Sequence, residues 1–106
     1  MCQYNHVPGR GRGRKGENMT KGEALALIYE ELERAELKHP VFPRDPIHAV
    51  GIMYEERGEA MKEALDWTYA NGNRDALEQE LAHWGAMAVR CLINLHNFHP
   101  KKSEQG

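Results

Sequence analysis

The chain of 106 residues carries 14 basic and 16 acidic side chains, a formal net charge of −2, and has room for one domain. No apolar run approaches the roughly 20 residues of a membrane span, and no apolar leader opens the sequence, so we expect neither a membrane partner nor a signal peptide. Leu, Ile, Val and Phe make up just under a fifth of the residues, so one copy buries a modest core and we expect homo-oligomerisation.

The first 19 residues form an arm rich in Arg and Gly. Residues 8–16 read PGRGRGRKG, and the first 21 residues hold five basic side chains against one acidic side chain, Glu17. A segment with so few apolar side chains cannot bury enough surface to fold, which predicts a flexible arm. We interpret it first as a solvated tail, and we expect no nucleic-acid partner beyond a weak contact made by this arm.

Cysteine usage and missing nucleotide motifs exclude several classes of protein. Cys2 and Cys91 stand at opposite ends of the chain and form no CxxC pair, so the sequence contains neither a disulfide framework nor a zinc knuckle. Reduced thiols predict a cytoplasmic location. The sequence also has no P-loop, GxGxxG or GxSxG motif.

Residues 20–99 are expected to form one all-α domain of three helices, followed by a short polar tail at 100–106. A capping box of Thr20 and Glu23 begins the first helix, which runs to about Lys38. The apolar stripe of this helix is expected on Leu25, Ile28, Tyr29 and Leu32.

The second and third helices follow a proline-rich connector. Three prolines in residues 39–46 mark this connector, and the Asp-Pro pair at its end caps the second helix. The Asn-Gly-Asn sequence at 71–73 stops the second helix near residue 70 and caps the third, which runs from about Arg74 to Asn97. Strand-like alternation is absent throughout the sequence, so the expected fold is an all-α helical bundle.

Carboxylates share one side of the second helix. At 100° per residue, four of them fall within an arc of roughly 100°: Glu55, Glu56, Glu59 and Glu63. A solvated surface helix would carry Lys and Gln beside such an arc, but here apolar residues flank it on both sides. The pattern therefore predicts a central helix with an interior acidic cluster.

The third helix carries Glu80 in the middle of its apolar face. An unpaired buried carboxylate is very costly, so Glu80 must be protonated, paired with a basic group or bound to a metal. His83 lies one turn further along, at the edge of the same face. Converging carboxylates favour Mg²⁺, with Mn²⁺ also compatible. Ion pairs with Arg57, Lys62 or Arg90, without a metal, are the simpler interpretation that stays open.

The acidic pattern resembles the signature of one enzyme family. Glu55-Glu56-x-x-Glu59, followed after twenty residues by Glu80-x-x-His83, is similar to the EExxE…ExxD signature of the MazG-like, all-α nucleoside triphosphate pyrophosphohydrolases. Residues 38–48, and the helix that ends in AMAVRCLINL, are similar to small phage and bacterial members of that family. The resemblance covers roughly residues 20–98.

The resemblance implies a homodimer or homotetramer that binds a nucleoside triphosphate and cleaves it to the monophosphate and pyrophosphate. It implies Mg²⁺ held by helix carboxylates. The matching positions in this sequence are Glu56, Glu59 and Glu80, with His83 as a fourth ligand in place of the Asp of the family.

The resemblance also implies which residues act on the substrate. Glu55 and Glu56 are the candidate catalytic groups that activate the attacking water. The substrate phosphates are expected to meet cationic side chains, for which the candidates are Lys38 and Lys62, and also Arg57 and Arg74.

The imidazole at position 83 keeps two other functions open. Imidazole favours Mn²⁺, Fe²⁺ or Zn²⁺ over Mg²⁺. Glu80-x-x-His83 has the spacing of a di-iron carboxylate helix, so two copies in a dimer could form a ferritin-like iron protein. The third hypothesis is a helical adaptor that has kept the fold and lost the chemistry.

Overall fold

The structure is a computed structural model that describes residues 18–100. Within this range the chain forms helices and no strand, which confirms the all-α expectation; the elements are α1 (Lys21–Lys38), α2 (Pro46–Tyr69), α3 (Arg74–Ile93) and a 3-10 turn at Leu95–Asn97. None of these helices is both long and apolar enough to cross a membrane. Residues 1–17 of the predicted arm and 101–106 of the predicted tail lie outside the described residues.

The three helices begin where their capping residues predict. Glu23 donates its backbone N–H to Thr20 Oγ1 at 3.1 Å, and Thr20 donates its own to Glu23 Oε1 at 2.8 Å, which completes the capping box. The side chains of Asp45 and Asn73 accept backbone hydrogen bonds in the first turns of α2 and α3. Each cap satisfies an N–H group that has no partner within its helix.

The third helix is shorter than its sequence predicts. It ends at Ile93, and the chain continues through Asn94 into the 3-10 turn instead of remaining α-helical to Asn97. The side-chain amide of Asn94 donates to the Arg90 carbonyl at 2.8 Å, and its backbone N–H bonds the same carbonyl at 3.1 Å. Asn side chains compete for backbone groups in this way, which ends helices locally.

The third helix lies between the other two. It packs against both α1 and α2, which do not pack against each other within the described residues. The expectation that the second helix is central is therefore wrong for the single chain. The two helices α1 and α3 approach closely at Gly85, where an added Cβ would lie 2.9 Å from Ile28 Cδ1.

The apolar core is small and is built mainly from alanines. Its buried members are Leu27, Leu32, Ala49, Ala60, Ala82 and Ala86. The predicted stripe of α1 is partly wrong, because Leu25 and Tyr29 are exposed while Leu27 is buried. Only one side of α1 meets α3, so the buried face is narrower than the apolar content of the helix.

Arg90 ties the end of α1 to α3. Its buried guanidinium donates to the carbonyl oxygens of Ala35 and His39, and it lies 4.8 Å from the ring centroid of Phe42. The Ala35 carbonyl also accepts the backbone N–H of His39 at 2.8 Å, so Arg90 adds a second donor there and supplies one to the His39 carbonyl beyond the end of the helix. These contacts place the connector beside α3.

Candidate functional site

An open groove of about 770 Å³ lies over α3, with the C-terminal half of α1 on one side and α2 on the other. This volume falls within the roughly 300–1,000 Å³ typical of small-molecule sites. Six of the nine candidate site residues named from the sequence line it: Lys38, Glu56, Glu59, Lys62, Glu80 and His83. Residues far apart in the sequence therefore converge on one space.

Three ligand atoms come together on the floor of the groove. A carboxylate oxygen of Glu56, one of Glu80 and a ring nitrogen of His83 all lie within 4.8 Å of one another. Glu80 and His83 are one helical turn apart on α3, and Glu56 reaches them from α2. Oε1 of Glu56 and Oε1 of Glu80 are buried and accept no hydrogen bond from the described residues.

His83 is held between two carboxylates. Its Nε2 lies 2.8 Å from Oε1 of Glu31, and its Nδ1 lies 3.5 Å from Oε1 of Glu80. The hydrogen bond to Glu31 is the main reason that the pKa of His83 rises to about 9, since burial acts in the opposite direction. The imidazole is therefore a cation at neutral pH when no metal is bound.

The carboxylates of the cluster hold their protons more tightly than isolated ones do. Burial is the largest cause of the raised pKa of Glu56, and the charge of Glu59 adds to it. Burial also raises the pKa of Glu80, the charge of His83 opposes this, and a hydrogen bond with Glu59 raises it further. The single positive charge of His83 therefore does not cancel the rise in pKa that burial and neighbouring carboxylates cause at Glu56 and Glu80.

Cationic side chains stand around the acidic cluster. Lys38, at the end of α1, and Lys62, on α2, both line the groove. The Nζ of Lys62 lies 3.0 Å from Oδ2 of Asp66, and this hydrogen bond raises the pKa of the lysine. Arg34 lines the groove one turn before Lys38. The site thus offers both carboxylates for a metal and cations for an anionic ligand.

The structure does not bring every predicted residue to the groove. Glu55 is exposed and is not among the residues that line it. The guanidinium of Arg57 lies 5.4 Å from the ring centroid of Tyr54, on the outer side of α2. Arg74 lines a separate cavity of about 290 Å³ at the start of α3. Successive residues of a helix point 100° apart, so neighbours in a motif need not share a site.

Sequence reasoning missed Glu31. This carboxylate is only 2% exposed and is the closest partner of His83. Its position carried a signal, since Leu27, Ile28 and Glu31 follow the three-to-four-residue spacing of one helix face. A carboxylate in the middle of such a face needs a cationic partner in the same way that Glu80 does.

Comparison of the chain with protein-family models, with curated proteins and with solved structures gave no match. The chemistry of the groove is therefore the basis for a functional assignment. Carboxylates and an imidazole can hold a divalent cation, and the lysines can neutralise phosphate oxygens. The groove is open to solvent, so a ligand can enter it from one side.

Proposed function

We propose that this protein is a MazG-like, metal-dependent pyrophosphohydrolase that cleaves a nucleoside triphosphate to the monophosphate and pyrophosphate. One observation carries the proposal: the cluster of Glu56, Glu80 and His83 shares a groove with Lys38 and Lys62. A triphosphate needs cations for its oxygens, and a metal that binds it needs carboxylates on the protein. The sequence-based expectations of a homodimer or homotetramer and of a cytoplasmic location stay predictions.

The residues of the cluster fit a divalent ion. Glu56 and Glu80 each have a buried oxygen that accepts no hydrogen bond from the described residues, and each offers a carboxylate oxygen within 4.8 Å of the other ligand atoms of the cluster. Oxygen ligands favour Mg²⁺ or Mn²⁺. When bound there, the ion would neutralise phosphate charge and lower the pKa of a coordinated water molecule.

The contact between His83 and Glu31 suits a metal ligand as well as an ion pair. An imidazole that binds a metal through one nitrogen commonly donates its other N–H to a carboxylate, which orients the ring. Nε2 of His83 lies 2.8 Å from a carboxylate oxygen of Glu31, and Nδ1 lies 3.5 Å from one of Glu80. The proton on Nδ1 and a metal ion would compete for the same nitrogen, so metal binding should release a proton.

A carboxylate of the groove can take the proton of the attacking water. In the proposed reaction a water oxygen bonds to phosphorus at the α–β linkage, the bond to the bridging oxygen breaks, and pyrophosphate leaves. The proton of the water passes to a groove carboxylate, for which we propose Glu59 when Glu56 is engaged with the ion.

The exposed position of Glu55 argues against the role that the motif implies for it. Its side chain does not line the groove, whereas that of Glu59 does. We therefore propose that the catalytic work lies with Glu56, Glu59 and Glu80. Lys38 and Lys62 would contact the phosphates from opposite walls of the groove.

The test is pyrophosphate release from a panel of ribonucleoside and deoxyribonucleoside triphosphates, with Mg²⁺ and then with Mn²⁺. We expect release by the unmodified protein and a loss of at least about 100-fold in Glu56→Gln, because a ligand and candidate base is removed. Glu33→Gln, an exposed carboxylate on α1, is the matched control and should remain within about twofold. Glu55→Gln distinguishes the two bases for the assignment: the sequence motif implies a loss of pyrophosphate release in this variant, whereas the position of Glu55 outside the groove implies no loss.

A second measurement follows the ion itself. Calorimetric titration with Mn²⁺ should show binding that Glu80→Gln abolishes, while circular dichroism shows unchanged helicity. Activity that survives Glu56→Gln, or an Mn²⁺ affinity unaffected by Glu80→Gln, would contradict the proposal. If no triphosphate of the panel yields pyrophosphate while Mn²⁺ binding is intact, the hydrolase is rejected and a metal-binding protein remains.

The ferritin-like hypothesis keeps one specific observation in its favour. His83, held on Glu31, resembles an iron ligand more than a magnesium ligand, and Glu80 one turn away supplies the accompanying carboxylate. The two functions differ in a simple assay. An iron protein takes up Fe²⁺ in stoichiometric amounts and oxidises it in air, whereas the hydrolase releases pyrophosphate without oxygen consumption.

A further inference from the structure

The outer face of α2 is apolar and exposed along nearly the whole helix. Large side chains that are at least half exposed occupy it: Ile47, Val50, Tyr54, Met61, Leu65 and Tyr69. At 100° per residue they fall, together with Gly51 and Gly58, in an arc of roughly 100° that contains no charged residue. None of these residues lines the groove, so the face is separate from the candidate site.

The pattern of apolar residues and glycine on this face repeats every 11 residues. Ile47, Gly58 and Tyr69 are 11 apart, as are Val50 and Met61, and Tyr54 and Leu65. A repeat of 11 residues corresponds to about 3.67 per turn, close to the period of an α-helix, so the apolar stripe stays on one side over the full length. Such a stripe matches a long, straight partner helix and not a short peptide.

Two glycines lie within the stripe although nothing in the described chain requires them. An added Cβ at Gly51 or at Gly58 would meet no atom within 4 Å. A glycine inside a helix costs roughly 0.5–1 kcal/mol relative to alanine. A second helix that approaches closely would gain from the absence of side chains there, because its backbone and side chains could fill the space.

We propose that this face binds the same face of a second copy, with the two α2 helices antiparallel and Gly58 on the twofold axis. The stripe is self-complementary about Gly58, as an isologous interface requires. Tyr54 of one copy meets Met61 of the other, which is a favourable aromatic–thioether pair. Val50 meets Leu65 in the next layer, and Ile47 meets Tyr69 at the ends.

The charges beside the stripe support the antiparallel register. Glu55 and Lys62 lie on the same border of the stripe, and they are nearly equidistant from Gly58 along the chain. The twofold axis therefore places Glu55 of each copy near Lys62 of the other, so that Lys62, whose Nζ lies 3.0 Å from Oδ2 of Asp66, would turn from the groove side to this border in the dimer. Glu55 makes no salt bridge to any residue within 18–100, so this contact would give it a partner. On the other border, the guanidinium of Arg57 lies 5.4 Å from the ring centroid of Tyr54.

The area of the face also points to a second copy. Six large apolar side chains, each at least half exposed, follow one another along the 24 residues of α2. Contiguous exposed apolar patches of more than a few hundred Å² mark protein–protein interaction sites, and a stable specific interface buries about 800 Å² per partner. This inference does not rest on the proposed hydrolase activity.

Disulfide trapping tests both the face and the register. In full-length protein that carries Cys2→Ser and Cys91→Ser, Gly58→Cys should form a disulfide-linked dimer in more than half of the chains under mild oxidation. Gly51→Cys is the matched control, because both positions have open space around an added Cβ. In the proposed register the two thiols at position 51 lie roughly 20 Å apart along the helices. A disulfide needs Cα atoms within about 7 Å, so this variant should stay monomeric on a non-reducing gel.

Charge reversal gives a readout without introduced cysteines. Sedimentation should show that Glu55→Lys raises the dimer dissociation constant about tenfold, and that adding Lys62→Glu restores it, since the double variant re-forms both ion pairs. The proposal is overturned if positions 51 and 58 form disulfides equally, or if the protein is a monomer at all concentrations. It is also overturned if neither charge variant changes the dimer dissociation constant. Absence of a dimer would instead assign the face to a different protein.

Discussion

The groove and the outer face of α2 reverse the usual distribution of polarity between the inside and the outside of a protein. Glu31, Glu80 and Arg90 are buried, whereas Tyr54 and Leu65 are at least half exposed. The second helix packs on α3 largely through small side chains, with Ala49 and Ala60 fully covered, so its large apolar residues remain on the other side. The comparison shows charged side chains gathered in the interior and large apolar side chains left on the outer face of α2.

Stability alone does not explain the buried charges. Removing ions from water costs more free energy than their attraction commonly returns, and apolar residues of similar size often stabilise a protein as well or better. Retention of Glu31, Glu80 and His83 in one cluster therefore fits a site that binds a ligand. The following substitutions test this difference between the groove and the outer face of α2.

The largest effect is expected from Arg90→Ala. The substitution removes the side-chain donor to the His39 carbonyl, one of the two donors to the Ala35 carbonyl, and the cation above Phe42. We expect a loss of about 3–5 kcal/mol in the free energy of unfolding, measured by urea denaturation. Lys21→Ala, on an exposed side chain, is the control and should stay within about 0.5 kcal/mol. An equally small effect at Arg90 would show that this contact does not anchor the connector.

Glu31→Leu should cost about 2–3 kcal/mol, because it deprives the half-buried His83 of its main partner. The double variant Glu31→Leu, His83→Leu should recover this loss and match or exceed the unmodified protein in stability, since no charge is left uncompensated. It should also bind no divalent ion. A double variant as unstable as the single one would mean that the ion pair itself stabilises the fold. Thermal unfolding in the presence of a chelator measures all three proteins.

The metal-free protein should lose about 2 kcal/mol of stability as the pH rises from 6.5 to 9. The pKa of His83 is raised to about 9 in the folded chain, above its ordinary value of 6.5. The contribution of the protonated imidazole is therefore complete below pH 6.5 and disappears as the pH passes 9. Glu31→Gln, which removes the main cause of the shift, should flatten this dependence. A profile unchanged by that substitution would contradict the assignment of the shift to Glu31.

The smallest effect is expected on the outer face. Leu65→Ala should change the free energy of unfolding of the monomer by less than about 0.5 kcal/mol, because this side chain is half exposed. Leu27→Ala, the same change at a buried position, should cost about 2–5 kcal/mol. Both are measured by urea denaturation at concentrations at which sedimentation shows a monomer. A similar loss at both positions would mean that Leu65 packs within its own chain.

Local signals in the sequence predicted much of the fold and part of the site. The caps at Thr20, Asp45 and Asn73 act within four residues, so the helix starts could be read directly. The burial of Glu80 followed from its place on the apolar face of its own helix. Glu31 was missed although its helix carried a comparable signal, because the apolar stripe was assigned to a neighbouring face.

The sequence by itself determined the all-α class, the helix starts and the conclusion that Glu80 must be protonated, paired with a basic group or bound to a metal, because these depend on capping, periodicity and the cost of a buried charge. Only the tertiary structure decided that α3 is central, that Glu55 lies outside the groove and that His83 pairs with Glu31. A helix with apolar residues on two sides does not specify which side packs within its own chain. That choice depends on the neighbouring helices, and here it leaves the larger apolar face of α2 exposed.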